Sequence, residues 1–406
     1  MPEVLPFRGV RYADGDALSE LVCPPYDVIS PTQQEDLHQR HPHNAVRLEL
    51  AKAGGATGYA AARSAFDDWL QDGVLQRDSE PSFYLYRQDF VTPDGDRKRV
   101  AGVIGALTLE PLGSAGVLPH ERTMPGPKKD RLALLQALPV NVSPIYAIYR
   151  GAGGLRSLID SFAERPPEGA LVEAGIRHRL WRTEAGAELS AIRERLASGP
   201  LVIADGHHRY ETAWEFAAAD PSDEARGSIM SFLVDVDTEE VVVLPYHRLV
   251  TFAGGWPALK RALEADFPCS PTDRDKLASG VQASSADHAL GFVGPDEALL
   301  VELGDADVVE HLGDRAPAWR ALDVVALHEV IFPTISSGGP EDIAFTRSDE
   351  EVLEQVAAGR WSAGVLMRPV APAEVVDVAS SGERMPQKAS YFWPKALTGL
   401  VFHELR

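Results

Sequence analysis

Cysteine is nearly absent from this chain: Cys23 and Cys269 are the only two among 406 residues. Two cysteines build no disulfide framework, and no Cys-x-x-Cys pair supplies metal-ligand spacing, so both are expected to be buried, inert thiols. Positive charge is in deficit as well, with 39 Lys and Arg against 60 Asp and Glu and a net charge of -21. Such a surface repels phosphate backbones and anionic lipid, which makes nucleic acid and membranes poor partners. There is no apolar run long enough to span a bilayer and no secretory apolar segment at the start, so a cytoplasmic location is expected. Missing too are a Gly-x-x-x-x-Gly-Lys-Ser/Thr loop and a Gly-x-Gly-x-x-Gly set between strand and helix, without which P-loop and Rossmann sites lack their key part. Neither internal repeats nor low-complexity tracts occur.

Hydrophobic residues make up 45% of the chain, enough for more than one core. Strand-like and helix-like stretches alternate, the pattern of mixed α/β layers, and the character of the sequence shifts near residue 250. The expected division is an α/β catalytic region over 1–250 and a C-terminal α/β region over 251–406 whose tail returns to the site. Paired prolines at Pro24-Pro25 predict a rigid, extended connection that fixes Tyr26 and Asp27. The spacing predicts a helix over 33–40, an edge strand over 44–50 with Arg47 and Glu49 on its solvated face, and a helix over 58–70. A hairpin is predicted from 82–90 and 98–109, a loop at Pro125-Gly126-Pro127, a helix over 130–137 and a strand over 141–149.

The most informative stretch runs from Leu201 through Asp205-Gly206-His207-His208-Arg209-Tyr210-Glu211. A short apolar run reads as a buried strand, Asp-Gly as a tight turn, and the residues from Tyr210 onward as a helix. A glycine lets backbone approach a ligand closely, and the first amides of a helix point outward with partial positive charge. Arg209 would add a bidentate grip on phosphate. An alternative fits the same residues: Asp205 caps the helix, and the His-His-Arg face is solvated.

Two further stretches carry chemistry. In the first, His120-Glu121-Arg122 is followed by Lys128, Lys129, Asp130 and Arg131, four cations against two anions in an acidic chain. That excess points to an anionic ligand, although a basic loop paired with acidic neighbours gives the same composition. In the second, Arg384, Gln387, Lys388 and Lys395 are interleaved with Tyr391, Phe392 and Trp393, a combination that stacks a base and neutralises phosphate, or docks a tail on a core. Pro245-Tyr246-His247-Arg248 adds a His-Arg pair at a strand start.

The box Asp205-Gly-His-His-Arg-Tyr-Glu-Thr-Ala213 resembles the glycine-plus-arginine boxes of the ParB/sulfiredoxin superfamily, above all the Asp-Gly-His-His-Arg of free serine kinases. A wider resemblance links Cys23-Pro-Pro-Tyr-Asp-Val-Ile29, Leu118-Pro-His-Glu-Arg-Thr123, the box, and Met385-Pro-Gln-Lys388 through Lys395 to the family of unknown function numbered 1015. The resemblance implies a ParB/sulfiredoxin-like nucleotide-binding core with additional α/β structure. It also implies that Asp205, Gly206, His207, His208 and Arg209 cradle the phosphates of ATP or ADP; the chemistry of phosphoryl transfer, not a ligand motif, implies Mg2+ beside them. His207 stands where sulfiredoxins have a catalytic cysteine, which argues against sulfinate reduction. Arg122, Lys129, Arg131 and Lys388 would neutralise charge. Glu121, Asp27 or Glu49 would serve as base, Glu121 preferred, with His120 and His207 as further catalytic candidates. Glu49, Tyr210, Glu211, His247, Arg248, Gln387 and Lys395 would support them. The expected activity is transfer of a phosphoryl group between a nucleotide and a small hydroxyl metabolite such as serine, in either direction. A phosphomonoester hydrolase and a noncatalytic, nucleotide-gated regulator are the alternatives. The sequence leaves the oligomeric state open.

Overall fold

The computed structural model describes residues 2–121, 125–151, 154–184, 186–196 and 199–406, with 125–127 described in backbone alone. The chain divides into two compact units: Met1–Pro119, Thr123–Val241 and Pro394–Arg406 form the first, His120–Arg122 and Val242–Trp393 the second. Among the described residues no helix is long and apolar enough to cross a membrane.

The first unit is built on a nine-stranded mixed sheet. Its strands are β1 (Val4–Leu5), β2 (Tyr84–Val91), β3 (Arg97–Thr108), β4 (Val117–Pro119), β5 (Ile145–Tyr149), β6 (Gly169–Glu173), β7 (Ile176–Arg182), β8 (Leu201–Asp205) and β9 (Ser228–Asp235). They lie in the order β4-β8-β5-β9-β3-β2-β7-β6, with β1 also paired to β3. β8 runs parallel to β4 and antiparallel to β5, and β9 runs parallel to β5. The predicted hairpin is β2 and β3, in register from Tyr84 opposite Ile104 to Val91 opposite Arg97. Phe83, Val103, Ile145, Leu201, Ile203, Tyr210 and Leu233 are all fully buried in one core, each apolar side chain contributing about 1.5–3 kcal/mol.

Helices α1 (Pro31–Arg40), α2 (Val46–Glu49), α3 (Gly55–Gln71), α4 (Pro125–Ala137) and α5 (His207–Ala218) belong to this unit. Ser30 caps α1 by accepting from the Gln33 amide at 3.2 Å, with Pro31 in the first turn, where its missing N–H costs nothing. Three sequence expectations change. The strand predicted over 44–50 is the helical turn α2, because the Asn44 side chain accepts from the Val46 amide at 3.0 Å and so starts a turn. Glu49 is consequently buried instead of solvated. Pro125-Gly-Pro is no loop but the first turn of α4, which tolerates proline for the same reason as α1. The strand predicted over 141–149 is split, and its first part, Val140–Asn141, pairs with His403–Glu404 from the C-terminal segment.

The second unit holds a wholly antiparallel six-stranded sheet in the order Cys269–Thr272, Ala298–Leu303, His288–Val293, Ala363–Met367, His247–Thr251, Asp342–Thr346. Leu277, Val352 and Val356 from two helices cover Leu249, Val293 and Leu366 on one face of it. Residues Val242–Leu244 pair with Tyr391–Trp393 in a separate ribbon. The whole is mixed α/β, as the sequence predicts. Cys23 is buried as expected but Cys269 is only half-buried; desolvation still pushes the Cys23 thiol well up and Cys269 up to about 11, so both are poor thiolates.

Candidate functional site

At the end of β8 the chain turns through Gly206 in the left-handed region, with φ 93° and ψ 26°, and enters α5 at His207. A Cβ on Gly206 would lie 2.7 Å from Cγ2 of Ile145 and 3.0 Å from an Arg209 amino group, so conformation and space both require glycine. The first helical bond joins the Tyr210 amide to the Gly206 carbonyl at 3.0 Å. The amides of His207, His208 and Arg209 precede it and serve no helical acceptor. Tyr210 fixes the start of α5 from below: its hydroxyl donates to the Glu110 carbonyl at 2.8 Å and accepts from the Glu110 amide at 3.1 Å.

Asp205 does not cap α5, whose N-cap is Gly206 with no side-chain bond. Its carboxylate instead accepts from Arg209 Nη2 at 2.9 Å and from the Lys395 ammonium. Burial alone would raise this carboxyl; Lys395 and Arg209 outweigh burial and hold it at about 2. Arg209 also donates to Ser143 Oγ at 3.0 Å and the Pro144 carbonyl at 2.8 Å. The fork expected to grip phosphate is thus largely committed to protein, while its buried Nε has no hydrogen-bond partner among the described residues. Lys395 is held in turn by the buried Gln88, whose amide donates to its carbonyl at 2.9 Å.

Asp27 lies in the short turn Tyr26–Val28 that follows Pro25. Its surface is exposed, yet enough protein surrounds it that desolvation raises its carboxyl, with Asp205 acting in the same direction and Lys395 and Arg209 opposing. The Arg131 guanidinium stacks 4.4 Å from the Tyr26 ring centroid, and burial pushes the Tyr26 hydroxyl up to about 12. Arg131 Nη1 also donates to the Glu49 carbonyl at 3.1 Å and approaches Glu49 Oε1 at 3.5 Å. Burial raises the Glu49 carboxyl, against the pull of Arg131 and Arg209. A cavity of about 50 Å³ beside Glu49, Arg131, Ser143 and Arg209 has room for a water or two. Around the turn, then, Asp27, Glu49 and Asp205 balance Arg131, Arg209 and Lys395.

Of the other candidates in the first unit, His207 is buried, Glu211 pairs with Lys128, and Lys129 is exposed. His208 is half-buried, and its carbonyl accepts from Thr212 Oγ1 at 2.7 Å. Arg122 lies outside the described residues. His120, Glu121, His247, Arg248, Gln387 and Lys388 belong to the second unit. There His120 is hydrogen-bonded to Ser390 Oγ at 2.9 Å, and Glu121 Oε1 accepts from the Ala389 amide at 3.2 Å. Arg248 donates to the Lys388 carbonyl at 3.0 Å, and Lys388 Nζ stands 5.3 Å from the Tyr246 ring centroid. His247 Nδ1 accepts from the Met367 amide at 3.2 Å. Sequence reasoning passed over Ser143 and its contact with Arg209. Ser143-Pro144 ahead of an apolar run is the one available signal, and it is too common to single out.

Fold and turn together define a mixed α/β protein with a glycine turn feeding a helix start and a charge-balanced cluster beside it. Residues 4–325 match the family described as "Protein of unknown function (DUF1015)", and the chain belongs to that family. No curated protein matches the chain. Among solved structures it is similar to a free serine kinase in complex with AMP, at 13% identity and a TM-score of 0.36, over 68% of this chain and 83% of that one. It is also similar to C-terminally truncated SbnI from Staphylococcus aureus, at 12% identity and a TM-score of 0.39, over 73% and 85%. A conserved hypothetical protein from Pyrococcus furiosus gives 12% identity and a TM-score of 0.35, over 68% and 86%.

Proposed function

We propose that the first unit is a nucleotide-dependent phosphotransferase acting on a small hydroxyl metabolite, with serine and phosphoserine the leading acceptor and product. The observation that carries this reading is Asp27, an exposed carboxyl at the glycine turn that surrounding protein and Asp205 raise while Lys395 and Arg209 oppose. Phosphoryl transfer asks a protein to hold phosphates in line, neutralise developing charge and orient a hydroxyl. The amides of His207 to Arg209, at the positive end of α5, suit the phosphates. Lys395 and Arg209 supply positive charge that Asp205 keeps in place. Asp27, favoured here over Glu121, takes the proton of the acceptor hydroxyl as its oxygen bonds to phosphorus and the nucleotide oxygen leaves. Its raised pKa makes it a stronger base than an ordinary aspartate.

Mg2+ accompanying a nucleotide needs only one or two protein carboxylates besides phosphates and water, but Asp205 does not fit that demand, since Arg209 and Lys395 occupy its two oxygens. Among the described residues no group of three or more His, Cys, Asp or Glu gathers as a metal cage. When bound, the ion would offset phosphate charge.

The test incubates the full chain with ATP, ADP or pyrophosphate and a pool of hydroxy amino acids, read by mass spectrometry. A phosphorylated amino acid is the expected product. Release of inorganic phosphate from phosphomonoesters, with no transfer, would replace this reading with a hydrolase.

A further inference from the structure

In the second unit a cavity of about 290 Å³, at the lower end of small-molecule sites, carries Tyr246, Arg248, Asp287, Asp323, Arg368 and Glu374 in its walls. Arg248 is 1% exposed. It donates through Nε to His328 Nε2 at 3.2 Å, and otherwise to the carbonyls of Tyr246, Lys388 at 3.0 Å and Gln387 at 3.4 Å. Among the described residues one N–H, on Nη1, has no acceptor. Among the described residues no carboxylate stands at ion-pair distance from it, and Glu121 attracts it only from farther away. Burial accordingly drags the guanidinium down to about 9. A buried guanidinium without a counter-ion is costly, and its stack 5.2 Å from the Phe345 centroid offsets a small part of that cost.

The other charges in the walls differ. Arg368 is neutralised by Asp323, at 2.7 and 2.8 Å, and donates as well to the carbonyls of Ala286 and Asp287. Asp287 uses one oxygen on the Asp305 amide at 2.8 Å, and Glu374 one on the Ala371 amide at 2.7 Å. The second oxygen of each has no hydrogen bond among the described residues. Free phosphate or a dicarboxylate would meet repulsion from these acids, whereas a molecule bearing both charges satisfies both walls.

We propose that this cavity binds a free α-amino acid, its carboxylate on Arg248 and its ammonium toward Asp287 and Glu374. The site stands independently of the function assigned to the glycine turn. Isothermal titration of the full chain with the proteinogenic L-amino acids tests it, with acetate, methylammonium and inorganic phosphate as probes of the separate charges. At least one amino acid is expected to bind one per chain with submillimolar affinity, and the three probes far more weakly. Both Arg248→Met and Glu374→Gln should weaken that amino acid at least tenfold. Should the buried Arg248→Met variant not fold, Glu374→Gln alone decides. Absence of amino-acid binding, acetate or phosphate binding as tightly as the amino acid, or undiminished affinity in the folded variants would overturn the assignment.

Discussion

Asp205 and Asp27 share one electrostatic neighbourhood and titrate in opposite directions. The folded Asp205 carboxyl, at about 2, lies below its unfolded value of roughly 3.9. Its contribution, on the order of 2 kcal/mol, is present above that unfolded value and lost as pH falls toward 2. Asp205→Asn is therefore expected to lower stability at neutral pH by about that amount and to flatten the acid limb of urea unfolding measured against pH. Asp27 has the reverse sign. Its raised folded pKa favours folding below the unfolded value, and that benefit disappears as pH rises through the folded one. Asp27→Asn should raise the unfolding midpoint at neutral pH, the mark of a group kept for chemistry at the expense of stability. Arg209→Ala removes more than the phosphate grip that the sequence suggests for this side chain. It leaves Asp205, Ser143 and the Pro144 carbonyl short of their donor, and a loss of roughly 3–5 kcal/mol is expected in denaturant titration. The glycine and the helix start are legible in Asp205 to Arg209. The commitment of Arg209 to protein is not, because Asp205 reads equally as a helix cap and the Ser143 and Pro144 acceptors stand far from Arg209 in sequence.

At the level of elements, β8 and α5 followed from an apolar run, Asp-Gly and a helix-compatible sequence, so the site's scaffold was legible. The helical turn α2 was missed because Val46, Leu48 and Leu50 alternate as a strand does, while one side-chain bond from Asn44 decides the outcome. Pro125-Gly-Pro misled for a related reason, since the same residues serve loops and first helical turns alike. The angle at which α5 leaves the sheet is held by Tyr210 on both backbone groups of Glu110. Tyr210→Phe keeps the buried ring and removes both bonds. A loss of about 1–3 kcal/mol is expected, with nucleotide affinity reduced, and equal affinity with equal stability would show that the anchor is idle.

For the molecule as a whole, a net charge of -21 makes each basic stretch conspicuous, but composition does not say which stretch belongs to which unit. The tail is divided: Lys388 belongs to the second unit, while Lys395 and the residues after it complete the first. Leu397, Leu400, Val401, Phe402 and Leu405 are all buried there. At about 1.5–3 kcal/mol each, their loss rivals the whole stability of a typical domain, roughly 5–15 kcal/mol. A chain ending at Trp393 should accordingly lose cooperative unfolding of the first unit in calorimetry. The central claim, that Asp27 is the base of a phosphoryl transfer at the Gly206 turn, is tested most directly by comparing Asp27→Asn with the wild type in one assay of turnover and ADP affinity. The account expects turnover to fall by about 100-fold or more with ADP affinity kept within a few-fold. Unchanged turnover in a folded, nucleotide-binding Asp27→Asn variant would contradict it.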